Sequence, residues 1–260
     1  VFSRLARYWR VFGTGLSFFV FGLAGLVLGF VVFPVLRVVI SNEQRRQAVS
    51  RDLLRWAFRC HIAVMRGVGI IRYSYSGLER LDRRGLLIMS NHPSLIDAVL
   101  LMAFIRNANC VIDAELFGNK YTRGAVRAVG FIPNQPAGLP LVDACLAALD
   151  RGENLLFFPE ARRTTPGESV KLTRGAAQVA VRGGRDVTPV IIHCAPPHLT
   201  RGAKWYRVPV RRAQYTISVR ADIPVRPFLE RDDERALSAR ALTDHLYDYF
   251  TKELLAHAVA

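Results

Sequence analysis

The sequence predicts an α/β fold, a largely parallel sheet flanked by helices, with an N-terminal membrane-embedded helical segment before it. Three observations carry this. Short apolar runs alternate with helical patterns from residue 70 onward, the signature of β-α repeats around a parallel sheet. An uncharged stretch from Val11 to Leu36, bracketed by Arg10 and Arg37, precedes them. A long mixed polar and apolar helical pattern, Asp232 to Leu255, closes the chain.

The elements follow in order. Residues 1–40 read as a membrane anchor, because an apolar run longer than about 18 residues is a transmembrane candidate. It is long enough either to span a bilayer or to enter one leaflet as a bent, re-entrant segment. Gly25 and Gly29 form a G-x-x-x-G that lets a neighbouring helix come close. Arg4, Arg7 and Arg10 precede the run, whereas Arg37, Arg45, Arg46, Arg51, Arg55 and Arg59 follow it. The heavier following charge places the main domain on the cytoplasmic side of the cytoplasmic (inner) membrane. Residues 41–67 read as a basic amphipathic connecting helix, with Val49, Leu53, Trp56, Ala57, Cys60 and Val64 on one stripe.

The main domain is expected over residues 68–228. Ile70–Ser76 alternates like a half-buried strand, and Leu86–Met89 is a short buried run followed by a helix from Pro93 to about Phe104. Strand-like Cys110–Ile112, a short helix over Arg123–Val129 and extended Phe131–Ile132 come next, then a helix over Leu141–Asp150 stopped by Gly152. Asn154–Phe158 is a strongly apolar strand, Leu172–Arg182 a helix ended by Gly183-Gly184, and Val187–His193 and Tyr215–Val219 are further strands. Residues 229–260 form a C-terminal helix packed on the domain through Leu237, Leu242, Leu246, Tyr249, Phe250 and Leu254.

Composition narrows the partners. The 260 residues hold 36 Lys and Arg against 21 Asp and Glu, a net charge of +15. Such a field suits an anionic membrane surface or an acidic carrier protein. Nucleic acid is set aside, because no aromatic-basic signature or binding fold is recognisable. The cysteines Cys60, Cys110, Cys145 and Cys194 form no C-x-x-C pair, which argues for reduced thiols. His193, Cys194 and His198 lack a second ligand pair, so no metal is expected.

Two stretches at strand ends carry the chemistry. In Ser90-Asn91-His92-Pro93-Ser94-Leu95-Ile96-Asp97, five helical steps would leave His92 and Asp97 about 140° apart. They meet only if His92 stays outside the helix and Asp97 sits one turn inside it. Pro93 suits a first helical position and keeps His92 extended. Ser94 reads as a first-turn residue that helps satisfy free helix amides. Phe157-Phe158-Pro159-Glu160-Ala161-Arg162-Arg163-Thr164-Thr165 places a carboxylate, two guanidiniums and two hydroxyls after a buried strand. Guanidinium forks suit a phosphate or carboxylate. Ligand crevices in open α/β sheets lie beyond these strand ends.

Asn91-His92-x-x-x-x-Asp97 and Phe158-Pro159-Glu160-x-x-Arg163-Thr164 resemble the first and third motifs of the glycerolipid acyltransferases, of the 1-acylglycerol-3-phosphate acyltransferase type. Arg174-Gly175-Ala176-Ala177 and Val187-Thr188-Pro189-Val190 resemble the segments that follow, and Tyr121 to Phe131 sits where the second motif belongs. The resemblance covers roughly residues 68–228 in order and spacing. It implies a glycerolipid acyltransferase-like fold and O-acyl transfer from an acyl-CoA or acyl-ACP thioester to the hydroxyl of a lysophospholipid-like lipid, with no bound cofactor. His92 would be the general base and Asp97 its orienter. Asn91, Ser94, Glu160, Arg162, Arg163, Thr164, Arg174 and Gly175 would bind substrate. Two departures bear on the acceptor. Ala161-Arg162 replaces the usual Gly-Thr, and Asp113 stands where many relatives carry a lysine, which would repel a phosphate and favour a specialised acceptor. A hydrolase using the same site with water is the other alternative; a serine hydrolase is not, because no G-x-S-x-G elbow occurs.

Overall fold

In the computed structural model the described residues are 2–160, 163, 171–229 and 235–258. The N-terminal apolar run is one continuous rod: α1 (Phe2–Val27), a π-helical turn (Leu28–Val32) and α2 (Phe33–Val39). A short non-helical link, residues 40–42, joins it to the basic helix α3 (Glu43–Gly67), which packs back on α1 with Phe58 and His61 against Phe21 and is capped by the Asn42 side chain accepting the Arg45 amide N–H at 2.9 Å.

Seven strands form one sheet in the order β1-β7-β6-β2-β5-β3-β4. They are β1 (Ile71–Ser76), β2 (Leu87–Ser90), β3 (Ala108–Ile112), β4 (Ile132–Pro133), β5 (Asn154–Phe157), β6 (Val187–Ala195) and β7 (Ala213–Val219). Every pairing is parallel except β6 with β7, where Ile192 faces Ile217. The connecting helices are α4 (Asp97–Met102), α5 (Glu115–Gly118), α6 (Arg123–Ala128), α7 (Leu139–Asp150), α8 (Gly175–Gly183), α9 (Arg226–Leu229) and α10 (Arg235–Ala258).

The strands are apolar on both faces because helices cover both. From β2, Ile88 joins a core with Ile62 and Met65 of α3 and Leu100 of α4. Leu87 and Met89 point to the opposite core, built with Val142 of α7, Val179 of α8 and Leu246 of α10. This period-two division, buried on each side, produces the near-continuous hydrophobic runs read in the sequence.

Two helices depart from expectation. α4 begins at Asp97 and not at Pro93: residues 94–96 form a turn ahead of it, and the helical ladder starts with the Leu100 amide donating to the Ile96 carbonyl. The Ser94 amide donates to Asp97 Oδ2 and the Leu95 amide to the Leu199 carbonyl. In α3 the domain-facing side is Ser50, Arg51, His61, Ile62 and Met65, with Leu54 and Phe58 beside them. The expected stripe lies about one residue around: Trp56, Ala57, Cys60 and Val64 line an apolar cavity of about 630 Å³ between α1, α3 and α6. Trp56 is itself 67% exposed.

A buried ion-pair cluster fastens α3 to the sheet. Glu153, leading into β5, accepts from Arg51 at 2.8 Å, Arg151 at 2.9 Å and Asn109 at 2.7 Å. Burial alone would push the Glu153 carboxyl up, but these three partners outweigh it and hold it below the usual range.

The N-terminal rod lies along the domain. Trp9 Nε1 donates to the Val68 carbonyl at 2.9 Å, and Arg10 donates to the carbonyls of Pro209 and Val210. Farther along, Gly29 meets Gly124 of α6, where a Cβ would stand 3.2 Å from the Gly29 carbonyl oxygen. Close approach thus occurs at Gly29, while Gly25 has nothing within 4 Å. The outward face, including Tyr8, Phe12, Phe19 and Phe30, is apolar and exposed. Leu5–Val39 is long and apolar enough to cross a membrane, and only 11% of its most apolar window is buried.

Candidate active site

β2 and β5 are neighbours, and the connections leaving them diverge. β2 leads through α4 to β3, beyond β5, whereas β5 leads through α8 to β6, beyond β2. This opens a crevice at their carboxyl ends. Both chemical stretches converge there.

His92 follows β2, and its Nδ1 lies 3.0 Å from Asp97 Oδ2. Asp97 is the first residue of α4 and fully buried, while the His92 side chain keeps 19% exposure. The Ser94 amide N–H donates to the same Oδ2 at 2.6 Å, closing a tight turn over residues 94–97. Burial pushes the Asp97 carboxyl up; His92, the Ser94 amide and the charge of Arg163 pull it back. With Asp97 accepting, the neutral imidazole carries its proton on Nδ1 and presents the Nε2 lone pair. Phe158, directly after β5, stacks on the ring with centroids 4.2 Å apart.

Glu160 is 8% exposed and its Oε1 accepts the His92 backbone N–H at 3.0 Å. Arg163 Nη1 donates to the Leu199 carbonyl at 3.3 Å. The structure therefore brings His92, Asp97, Ser94, Glu160 and Arg163 together. Arg162 and Thr164 lie outside the described residues, as does Ala161. Arg174 is exposed at the start of α8, and Gly175 lies where a Cβ would meet the Phe157 ring at 3.5 Å. That helix start is tied to the crevice through Thr173, whose amide and hydroxyl both donate to the Pro159 carbonyl.

Asn91 and Ser94 face inward. Asn91 Nδ2 donates to the Ile192 carbonyl and Asn91 Oδ1 accepts the Ile192 amide, both at 2.7 Å, so the side chain clamps β2 to β6. Ser94 is fully buried with Oγ 2.9 Å from the Tyr215 hydroxyl. The Ser94 amide gives its hydrogen to Asp97, so the helix-amide role expected of its side chain passes to the aspartate. Asp113 acts locally, its Oδ1 accepting the Glu115 amide at 3.1 Å and capping α5.

Tyr215 and His198 are the neighbours that reading the sequence missed. Tyr215 is fully buried, its hydroxyl pushed well above the usual tyrosine range by burial. His198 Nδ1 lies 3.4 Å from that hydroxyl, and burial lowers the imidazole to about 4. The available signal was the alternation of β7, where Ala213, Tyr215 and Ile217 share one inward face and only Tyr215 carries a polar atom.

Ser94, the described serine beside the His92–Asp97 pair, turns its hydroxyl to Tyr215 and not to His92, and a His–Asp pair so placed at the crevice of a parallel α/β sheet fits an acyltransferase domain. A family model described as Acyltransferase matches residues 72–193. The chain is 29% identical over 200 residues to the 1-acyl-sn-glycerol-3-phosphate acyltransferase of Pseudomonas aeruginosa, covering 74% of this chain and 72% of that protein. It is 24% identical to the chloroplastic 1-acyl-sn-glycerol-3-phosphate acyltransferase LPAT1 of Arabidopsis thaliana, over 46% of this chain and 36% of the plant protein. The crystal structure of the 1-acyl-sn-glycerophosphate acyltransferase PlsC from Thermotoga maritima shares the fold with a TM-score of 0.63 and 16% identity, over 92% of this chain and 97% of that one. Residues 72–193 thus match the Acyltransferase family, and most of the chain is similar to an acyltransferase of the 1-acylglycerol-3-phosphate type.

Proposed function

We propose that the protein transfers a fatty acyl group from an acyl-CoA or acyl-ACP thioester to the free hydroxyl of a lysophosphatidate-type acceptor at a membrane surface. The observation that carries this is the His92–Asp97 pair at 3.0 Å, with the Ser94 amide fixing the carboxylate, in a chain similar to these acyltransferases. His92 Nε2 takes the acceptor hydroxyl proton as the oxygen attacks the thioester carbonyl. The C–O bond forms, the C–S bond breaks, and the imidazolium returns its proton to the departing thiolate. Asp97 stabilises the imidazolium between these steps and holds the tautomer. No acyl-enzyme is required, since the acceptor supplies the nucleophile.

Glu160 and Arg163 flank the acceptor side, and Arg163 supplies a cation suited to a phosphate. Asp113 accepts the exposed Glu115 amide, which leaves its charge in place, so a phosphate-free acceptor stays the second reading. The names of the two similar acyltransferases point to the phosphate acceptor. Residues 68–228 are assigned as the catalytic domain and 1–40 as the membrane-binding segment on the cytoplasmic side. Of the two ways to enter a bilayer, re-entrance into one leaflet fits better. The rod touches the domain from Trp9 to Gly29, a span of 20 residues or ~30 Å, which equals a whole hydrocarbon core of ~30 Å. A crossing rod would carry the domain into the lipid with it.

The test is a donor-by-acceptor screen of the detergent-solubilised protein, read by mass spectrometry. Lysophosphatidate should be the best acceptor and His92→Ala should abolish transfer. Release of free fatty acid without acylated product would establish a hydrolase instead, and a clear preference for a phosphate-free acceptor would overturn the assigned substrate.

A further inference from the structure

We propose that the β6–β7 loop, residues 196–212, is a second membrane-contacting element that recognises anionic lipid headgroups. The loop holds Arg201, Lys204, Arg207, Arg211 and Arg212 and no acidic residue. Among these cations stand Trp205, Tyr206 and Val210, exposed by 48%, 44% and 66%. Reading the sequence passed over this interleaving of aromatics and cations. Large exposed side chains grouped into a patch mark a contact surface, and Trp and Tyr favour the headgroup level of a bilayer. Basic residues around them add attraction for anionic lipid.

The loop is continuous with the apolar face of the N-terminal rod. The Trp205 ring lies edge-on to Phe18 with centroids 6.5 Å apart, and a Cβ at Gly15 would sit 3.3 Å from it. Arg10 of the rod holds the carbonyls of Pro209 and Val210. With 100° per residue, the domain-facing positions Arg10, Thr14 and Ser17 centre roughly opposite Phe12, Phe19 and Leu23, and Trp205 lies on the flank between them. Rod and loop therefore present one surface: an apolar strip with a cationic, aromatic margin. An acidic protein would match the charge, and aromatics occur at protein interfaces too; the continuity of the loop with the long apolar face of the rod favours a lipid surface. At its root the loop meets the active site, because the Leu199 carbonyl accepts both the Leu95 amide and Arg163 Nη1. Docking the loop would set the crevice mouth at headgroup height, where a lipid acceptor arrives.

The inference rests on the membrane-surface reading above for its choice of partner, but its test needs no turnover. The full chain is sedimented with vesicles of phosphatidylcholine alone or with phosphatidylglycerol added. The triple variant Lys204→Gln, Arg207→Gln, Arg211→Gln, at exposed positions, should lose about a hundredfold in partition to the anionic vesicles at low salt and little to the neutral ones. His92→Ala should bind like the parent, so a failed catalytic assignment leaves this result standing. Unchanged partition of the triple variant overturns the proposal. So does a variant that binds vesicles normally but no longer binds an acyl carrier protein, which would make the loop a protein-docking site. In a Trp9→Phe, Trp56→Phe background, Trp205 fluorescence should be quenched by brominated lipid; absence of quenching refutes the contact even if the charge variant misfolds.

Discussion

Changing Asp97 to asparagine tests the site most sharply, because the side chain keeps its shape and loses its charge. In the native turn one oxygen receives both the Ser94 amide at 2.6 Å and His92 Nδ1 at 3.0 Å. The asparagine carbonyl that retains the Ser94 bond also accepts from Nδ1, since both contacts fall on the same oxygen, and the NH2 takes the place of the other. The tautomer is kept and the negative charge that stabilises the imidazolium is lost. Removing the carboxylate of a Ser-His-Asp triad costs about 10⁴ in kcat, or ~5.4 kcal/mol at ~1.36 kcal/mol per decade. Thiol release from acyl-CoA, with acceptor concentration varied, should show that loss in kcat with KM changed less than about threefold, since the headgroup contacts are elsewhere. Stability should move the other way. Burial raises the Asp97 carboxyl above its unfolded value. Between the two values the native state binds more protons than the unfolded chain, so stability falls as pH rises through that window and the deficit persists at neutral pH. A neutral isostere removes the deficit, and the melting temperature should equal or exceed that of the parent. Activity within tenfold of the parent, or a marked drop in melting temperature, would refute the reasoning.

Three further outcomes follow from buried contacts. Tyr215→Phe leaves the buried Ser94 hydroxyl without its 2.9 Å partner and should cost about 1–3 kcal/mol in denaturant unfolding. Glu153→Ala strands Arg51, only 3% exposed, and should cost about 3–5 kcal/mol, a melting shift of about 6–20 °C at ~2–4 °C per kcal/mol. Because the Glu153 carboxyl is held below its usual range, its contribution is complete above the unfolded value and lost as pH falls through the folded one, so the parent and variant should converge in acid melts. Burial pushes Cys110 and Cys145 up to about 12 and Cys194 to about 11, while Cys60 is exposed; a thiol reagent at pH 8 should label Cys60 first, confirmed by peptide mapping.

The order of strands and helices was legible because parallel strands buried on both faces leave continuous apolar runs such as Leu86–Met89 and Asn154–Phe158. Helix ends were less so. Pro93 is a good helix starter in isolation, yet residues 94–96 are held as a turn by contacts to Asp97 and to the carbonyl of the distant residue Leu199, and the second of these no local pattern shows. The α3 stripe shifted for a similar reason: the helix has two apolar sides, and hydrophobic periodicity alone cannot say which faces the sheet and which faces the N-terminal rod. Within the site, the His92–Asp97 pair could be read from a five-residue spacing. The inward turn of Asn91 and Ser94 could not, since their partners, Ile192 and Tyr215, lie 101 and 121 residues away. Local pattern names the residue type; only the register of β6 and β7 decides which face it meets.

The Glu160–His92 contact has a thermodynamic consequence. A backbone N–H and a carboxylate 68 residues apart in sequence share one hydrogen bond across the ends of two adjacent strands. On the proposed reading, with Glu160 on the acceptor side, this bond links the acceptor-side turn to the turn that carries the base. Coupling between two such positions is reciprocal: if an acceptor that engages Glu160 tightens the His92 turn, ordering that turn tightens the grip on the acceptor to the same degree. Order at the base and occupancy of the proposed headgroup site are then two readings of one equilibrium.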